Sequence, residues 1–176
     1  MVREANRLLV LTCCSLATAA YSYVPTPRLE RLADQSDLVV IGRVTEVERV
    51  RGADRHESRT LVRVDVEEVL KGAQIEQVTY VITYDFICDV SRGELGERVL
   101  LFLHRVEENL YRIAVAGRGR FLIVEEAGVI LAVPWRVIWP AELSATVTVE
   151  VERRTAEGVA LEALLVWLRH RIGRVD

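Results

Sequence analysis

The chain has 176 residues, 51% of them hydrophobic and 28% charged, with a formal net charge of -3. That length suits one domain with enough apolar matter for a core of its own. The slight acidity, and arginines scattered among Asp and Glu rather than gathered in a block, exclude the electrostatic footprint of a nucleic-acid binder.

The N-terminus carries the clearest address. Arg3 and Arg7 precede an apolar run from Leu8 to Ala20, and Ala17-Thr18-Ala19 fits a small-x-small cleavage site. This is the pattern of a secretory signal peptide. Its apolar run of about 13 residues falls short of the roughly 20 needed to span a bilayer. Residues 1–20 are therefore expected to be removed on export, leaving a periplasmic, cell-surface or extracellular protein with no transmembrane span. Cys13 and Cys14 leave with the leader, so Cys88 remains alone and cannot form an internal disulfide.

Residues 21–28 hold two prolines and no periodicity, and read as extended. Leu29 to Gln35 predicts two helical turns with Leu29 and Leu32 on one face, ended by Ser36-Asp37. A β-rich stretch follows. Leu38 to Ile41 is apolar on both faces, and Gly42 marks a bend or bulge. Val44 and Val47 are three apart, which predicts a slip in the alternation and a long, bent first strand. Val62, Val64 and Val66 alternate with polar residues up to the Lys71-Gly72 turn, and Val78, Tyr80, Ile82 and Tyr84 alternate next. Asp85 to Gly96 reads as a long loop holding Cys88.

Val99 to Leu103 is continuously apolar and predicts a central strand, turned by Glu107-Glu108-Asn109 into Leu110 to Val115. Arg120 to Glu125 and Val129 to Val133 form a hairpin about Ala127-Gly128. Some seven short strands at regular spacing predict a closed or partly closed antiparallel barrel, since closure removes exposed edges. The fold class expected is mainly β, an OB-fold-like Greek-key barrel over 21–133. Residues 134–176 form a C-terminal extension: a loop with Trp135 and Trp139, an edge strand at Val147, Val149 and Val151, and an amphipathic helix packing on the barrel. In that helix Leu161, Leu164, Leu165, Leu168 and Ile172 share a face, and Gly173 ends it.

The chemistry expected of the residues is sparse. No G-x-S-x-G elbow is present, and Cys88 with His104 is the one thiol–imidazole pair to consider. His56, His104 and His170 are too far apart for metal-ligand spacing, and His170 sits where a helix C-terminus favours positive charge. The doublets Glu67-Glu68, Glu107-Glu108 and Glu125-Glu126 are poor acid/base pairs, because strand neighbours point to opposite faces. No catalytic residue, metal site or cofactor is assigned. The expectation is a non-enzymatic binding module whose partner protein or ligand is unknown, with Trp135, Trp139, Tyr21, Tyr23 and Cys88 as candidate contact residues.

The order of these segments resembles the netrin-like OB-fold domain of the tissue inhibitors of metalloproteinases and their bacterial relatives. The likeness is carried by Ser36 to Gly42 as a first strand, Val64 to Gly72 as a second strand with its Lys-Gly turn, Cys88-Asp89 as a loop cysteine, and Glu97–Arg105 with Leu110–Ala114 as the next hairpin. It spans roughly residues 21–125. In the animal inhibitors a Cys-x-Cys start chelates the protease zinc through its terminal amine and carbonyl. Tyr21 and Tyr23 stand in place of those cysteines here, and Cys88 would be the unpaired partner of the first. The resemblance therefore implies the fold and the export, with metalloprotease inhibition through the mature N-terminal segment as the second reading.

Overall fold

A computed structural model describes residues 26–51, 59–83, 93–115, 117–143, 145–152 and 154–173. The leader, Tyr21, Tyr23, His56, Tyr84 and Cys88 lie outside the described residues. Helix α1 (Leu29–Gln35) precedes strand β1 (Leu38–Val50), β2 (Arg59–Lys71), β3 (Gln77–Thr83), β4 (Arg98–Glu107) and β5 (Leu110–Ile113). Then come β6 (Arg120–Glu126), β7 (Val129–Pro134), a 3-10 turn at Ala141–Leu143, β8 (Thr146–Val151), β9 (Arg154–Ala160) and helix α2 (Leu161–Ile172).

Among the described residues nine strands form one sheet in the order β1-β2-β3-β5-β4-β6-β7-β9-β8. Strand β1 also pairs with β4, so β1, β2, β3, β5 and β4 close into a ring of five. The molecule is mainly β, barrel-like, with a C-terminal helix. Closure is narrower than the strand spacing suggested, because β5 has only four residues. It covers β4 from Leu103 to Glu107, and β6 takes the rest of the same edge at Val99 to Leu101. The sheet forks there, and β6, β7, β9 and β8 run off from the ring.

Two of three buried clusters explain the apolar runs of β1 and β4, and the third, Leu131, Val133, Val149 and Ala156, joins β7 to the β8–β9 hairpin. Leu38, Val40, Val44, Val62, Val64, Tyr80, Leu101 and Leu103 fill the ring. Val39, Ile41, Leu100, Phe102 and Phe121 face outward, against Leu29 and Leu32 of α1 and Leu164 and Leu168 of α2. Strands β1 and β4 are thus buried on both faces, which is why Leu38–Ile41 and Val99–Leu103 show no polar alternation. The expected slip lies between Val44 and Glu46, and two further shifts lie at Val39/Val40 and Ile41/Gly42. A Cβ on Gly42 would stand 2.3 Å from the Asp65 carbonyl oxygen, so that backbone approach requires glycine.

Helix α1 has its predicted bounds, with Leu29 and Leu32 fully buried. The only lysine, Lys71, ends β2 and donates to the carbonyls of Ala33 (2.9 Å) and Asp34 (3.1 Å) at the end of α1. Strand β8 occupies the expected edge, paired to β9 alone. Strand β9 was not expected. Its sequence R-T-A-E-G-V-A has little β-propensity, and it forms because Ala156 and Val159 are buried beneath it. A Cβ on Gly158 would lie 2.8 Å from the Val133 side chain, so the small residues let β9 close down on β7.

Candidate functional site

Strand β7 ends at Pro134, and the chain then runs to Pro140 beside the N-terminal segment. Ile138 donates to the Pro27 carbonyl (2.9 Å), and Leu29 donates to the Ile138 carbonyl (3.1 Å). This bridge fixes the tryptophan loop against the start of the described chain. On the far side, β9 leads away from the β8–β9 hairpin tip. The two walls enclose a cleft of about 410 Å3 lined by Thr26, Trp135, Arg136, Trp139, Arg154 and Glu157, among others.

The structure brings Trp135 and Trp139 to the same cleft but gives them different work. Trp139 is partly buried and stands edge-on to Phe121, with ring centroids 5.9 Å apart at 87°, so much of its surface supports the core. Trp135 is 37% exposed. The Arg154 guanidinium lies 4.4 Å over its ring centroid, within cation–π range.

Arg154 was not found from the sequence, since its strand was not. Among the described residues its guanidinium makes one long hydrogen bond, from Nη2 to the Pro134 carbonyl at 3.3 Å. Its Nε has no hydrogen-bond partner among the described residues and is 3.9 Å from the Glu152 carboxylate. Burial is the main influence on this group and lowers its pKa. Glu152 acts in the opposite direction, and the nearby Arg120 charge adds to the lowering.

Glu152 is shared. Its Oε1 accepts from Arg120 Nη1 at 3.2 Å. Arg120 is 5% exposed and pairs with Leu101 in the β4–β6 ladder, which puts it on the ring-interior face. Its Nη2 donates to Glu97 Oε2 at 2.6 Å, and the Glu94 amide donates to the same oxygen at 2.7 Å. Burial is again the largest influence on Arg120 and opposes its charge. Glu97, Tyr80 and Glu152 outweigh that burial, so its pKa is raised. The sequence carried a signal for this residue: Arg120, Leu122 and Val124 alternate, so an arginine occupies an apolar-face position.

The remaining candidates stand apart. His104 lies on β4 with Nδ1 3.6 Å from Asp37, remote in role from the cleft. Glu67 meets Arg98 while Glu68 meets Arg169 of α2, so the doublet does point to opposite faces. Among the described residues no group of three or more His, Cys, Asp or Glu could hold a metal ion, and no helix is long and apolar enough to cross a membrane. No family model matches the chain, and no curated protein is significantly similar to it.

Proposed function

We propose that this chain is a non-catalytic binding module on an OB-fold-type barrel, exported to the cell envelope or beyond, and that it meets its partner at the cleft beside Trp135. The observation that carries the reading is the cleft itself, where an exposed indole stacks with a largely covered guanidinium whose Nε has no hydrogen-bond partner among the described residues. Concave sites with aromatic walls and a few convergent polar groups are the usual binding places on a fold. The OB-fold assignment is supported by five strands in a ring, a bulged first strand paired on both sides, and the non-sequential closure of β3 on β5. Export rests on Arg3, Arg7 and the Leu8–Ala20 run.

The test uses the chain from Tyr21 onward as bait against the envelope fraction. Capture of a defined partner that is lost on Trp135→Ala is the expected result. Capture that survives this change intact would sink the reading. Mass spectrometry of the N-terminus of the exported protein checks the address, and an intact Met1 start would remove it.

A second reading, inhibition of a metalloprotease by the N-terminal segment, is favoured by one observation. Thr26 lines the cleft and Pro27 is clipped to Ile138, so the chain enters the described fold at the cleft. It predicts inhibition by a chain that starts at Tyr21 and none by a chain with one extra residue before it. Equal behaviour of the two forms would end it.

A further inference from the structure

Strands β7 and β9 pair at only two positions, Leu131 with Ala160 and Ala132 with Val159. Beyond them no further ladder pair forms among the described residues. Strand β7 reaches Pro134, which has no N–H to give, while β9 continues back to Arg154 paired to β8 alone. Main-chain groups in an antiparallel ladder serve the two sides alternately. Val159 serves the β7 side, so Glu157 and Thr155, at two-residue steps, present their N–H and C=O groups to that same side. Among the described residues no backbone hydrogen bond reaches either from the Trp135–Trp139 stretch, and Pro134 has no N–H to offer the Glu157 carbonyl. Both residues line the cleft.

Among the described residues the cleft is thus a fork in the sheet, with main-chain groups of Thr155 and the Glu157 carbonyl unpaired on one wall. Unpaired main-chain groups along a strand are a template for another strand, and strand addition is a general mode of peptide capture. The charge of the fork selects among peptides. Among the described lining residues Arg136 and Arg154 face one carboxylate, Glu157. Arg154 has donors to spare, and a guanidinium fork suits a carboxylate. The volume of about 410 Å3 lies in the usual range of roughly 300–1,000 Å3 for binding clefts.

We infer that this fork takes up an extended peptide segment of a partner protein, which pairs with the main chain of Thr155 and Glu157 and sets an Asp or Glu side chain on Arg154. The inference rests on the reading of the cleft as the contact surface and names what that surface takes.

The test is selection of displayed random octapeptides on the full chain. The selected peptides are expected to combine β-formers with one fixed Asp or Glu. Changing that residue to Asn or Gln should weaken binding about tenfold, the scale of losing a charged hydrogen bond. N-methylation at alternate peptide amides should abolish binding, and the amides of Thr155 and Glu157 should exchange more slowly with peptide bound. The charge test changes the peptide, so it does not depend on an Arg154 variant folding. No enrichment, enrichment of basic or Pro-rich sequences, or equal binding of the N-methylated form would overturn the inference. A partner still captured in a Trp135-dependent way would then leave the contact surface standing and remove only strand addition.

Discussion

The Glu97 carboxylate holds the guanidinium of Arg120 at 2.6 Å where β4 enters the ring, with the arginine side chain only 4% exposed. A charge buried this deeply is tolerated because it is paired, and removing one partner strands the other. Arg120→Ala should therefore destabilise the fold by about 3 kcal/mol, read from the urea midpoint. Replacing the pair together, Arg120→Met with Glu97→Gln, should cost clearly less than the single change. Because folding raises the pKa of Arg120, its contribution is fully present below the unfolded value and is lost only as pH rises past it. Its own titration should thus cause no loss of stability at neutral or mildly alkaline pH.

Glu152 ties the β8–β9 hairpin to that same arginine, and it does so from a left-handed backbone, φ 49. Such a conformation costs a non-glycine residue about 1–2 kcal/mol. Glu152→Gly relieves it but removes a charge-assisted bond worth about 1.5–3 kcal/mol. The bond should win narrowly, so a small net loss of stability is expected. Glu152→Ala keeps the strain and loses the bond, and should melt lower than Glu152→Gly. The reverse order in thermal unfolding would show that the left-handed backbone at Glu152 carries no strain, and a Glu152→Gly chain more stable than the parent would show that the ion pair contributes less than the strain costs.

The difference between what was legible and what was not follows the burial pattern. Strands β1 to β7 announce themselves because their apolar residues alternate or run together, and β1 even shows its bulge in the Val44–Val47 spacing. A closed or partly closed barrel was expected from the strand spacing, but which five strands close it was not visible, since that depends on how β5 and β6 divide one edge of β4. Strand β9 was hidden because its partners select for smallness: Gly158 must pass beside Val133. With β9 unseen, Arg154 and the fork beside Trp135 could not be placed, though Trp135 and Trp139 drew notice as isolated aromatics in a proline-bounded loop. Lys71 read as part of a turn, and its grip on α1 is a tertiary fact with no local pattern.

Two glycines separate close approach from mere turn geometry. A Cβ on Gly42 would meet Asp65 O at 2.3 Å and Val64 Cγ1 at 2.6 Å, whereas one on Gly96, at φ +86, meets nothing within 4 Å. Gly42→Ala must push β1 off β2 and should cost about 3 kcal/mol, at the upper end of overpacking effects. Gly96→Ala carries only left-handed strain, about 1–2 kcal/mol. Thermal unfolding of the two variants should rank them in that order. Equal losses would mean that β1 and β2 are more loosely paired at Gly42 than the distances indicate.

Helix α1 is held by two cationic contacts of different worth. Arg171 of α2 forms a bidentate pair with Asp34, at 3.0 and 2.6 Å, but both side chains are over 40% exposed. Solvent screening limits such a pair to about 0.2–1 kcal/mol. Lys71 instead donates to the Ala33 and Asp34 carbonyls, which the ended helix leaves without partners of its own. Its ammonium also complements the negative end of the helix. Lys71→Met, which keeps the apolar stem, should therefore cost about 1–2 kcal/mol. Arg171→Met should cost less, and in a double-mutant cycle with Asp34→Ala its coupling should stay below about 1 kcal/mol. High salt should shrink the Arg171 effect more than the Lys71 effect, because two hydrogen bonds to backbone carbonyls persist where a solvated ion pair is screened. If salt erased both alike, Lys71 would be acting as one more surface charge and not as the cap of α1.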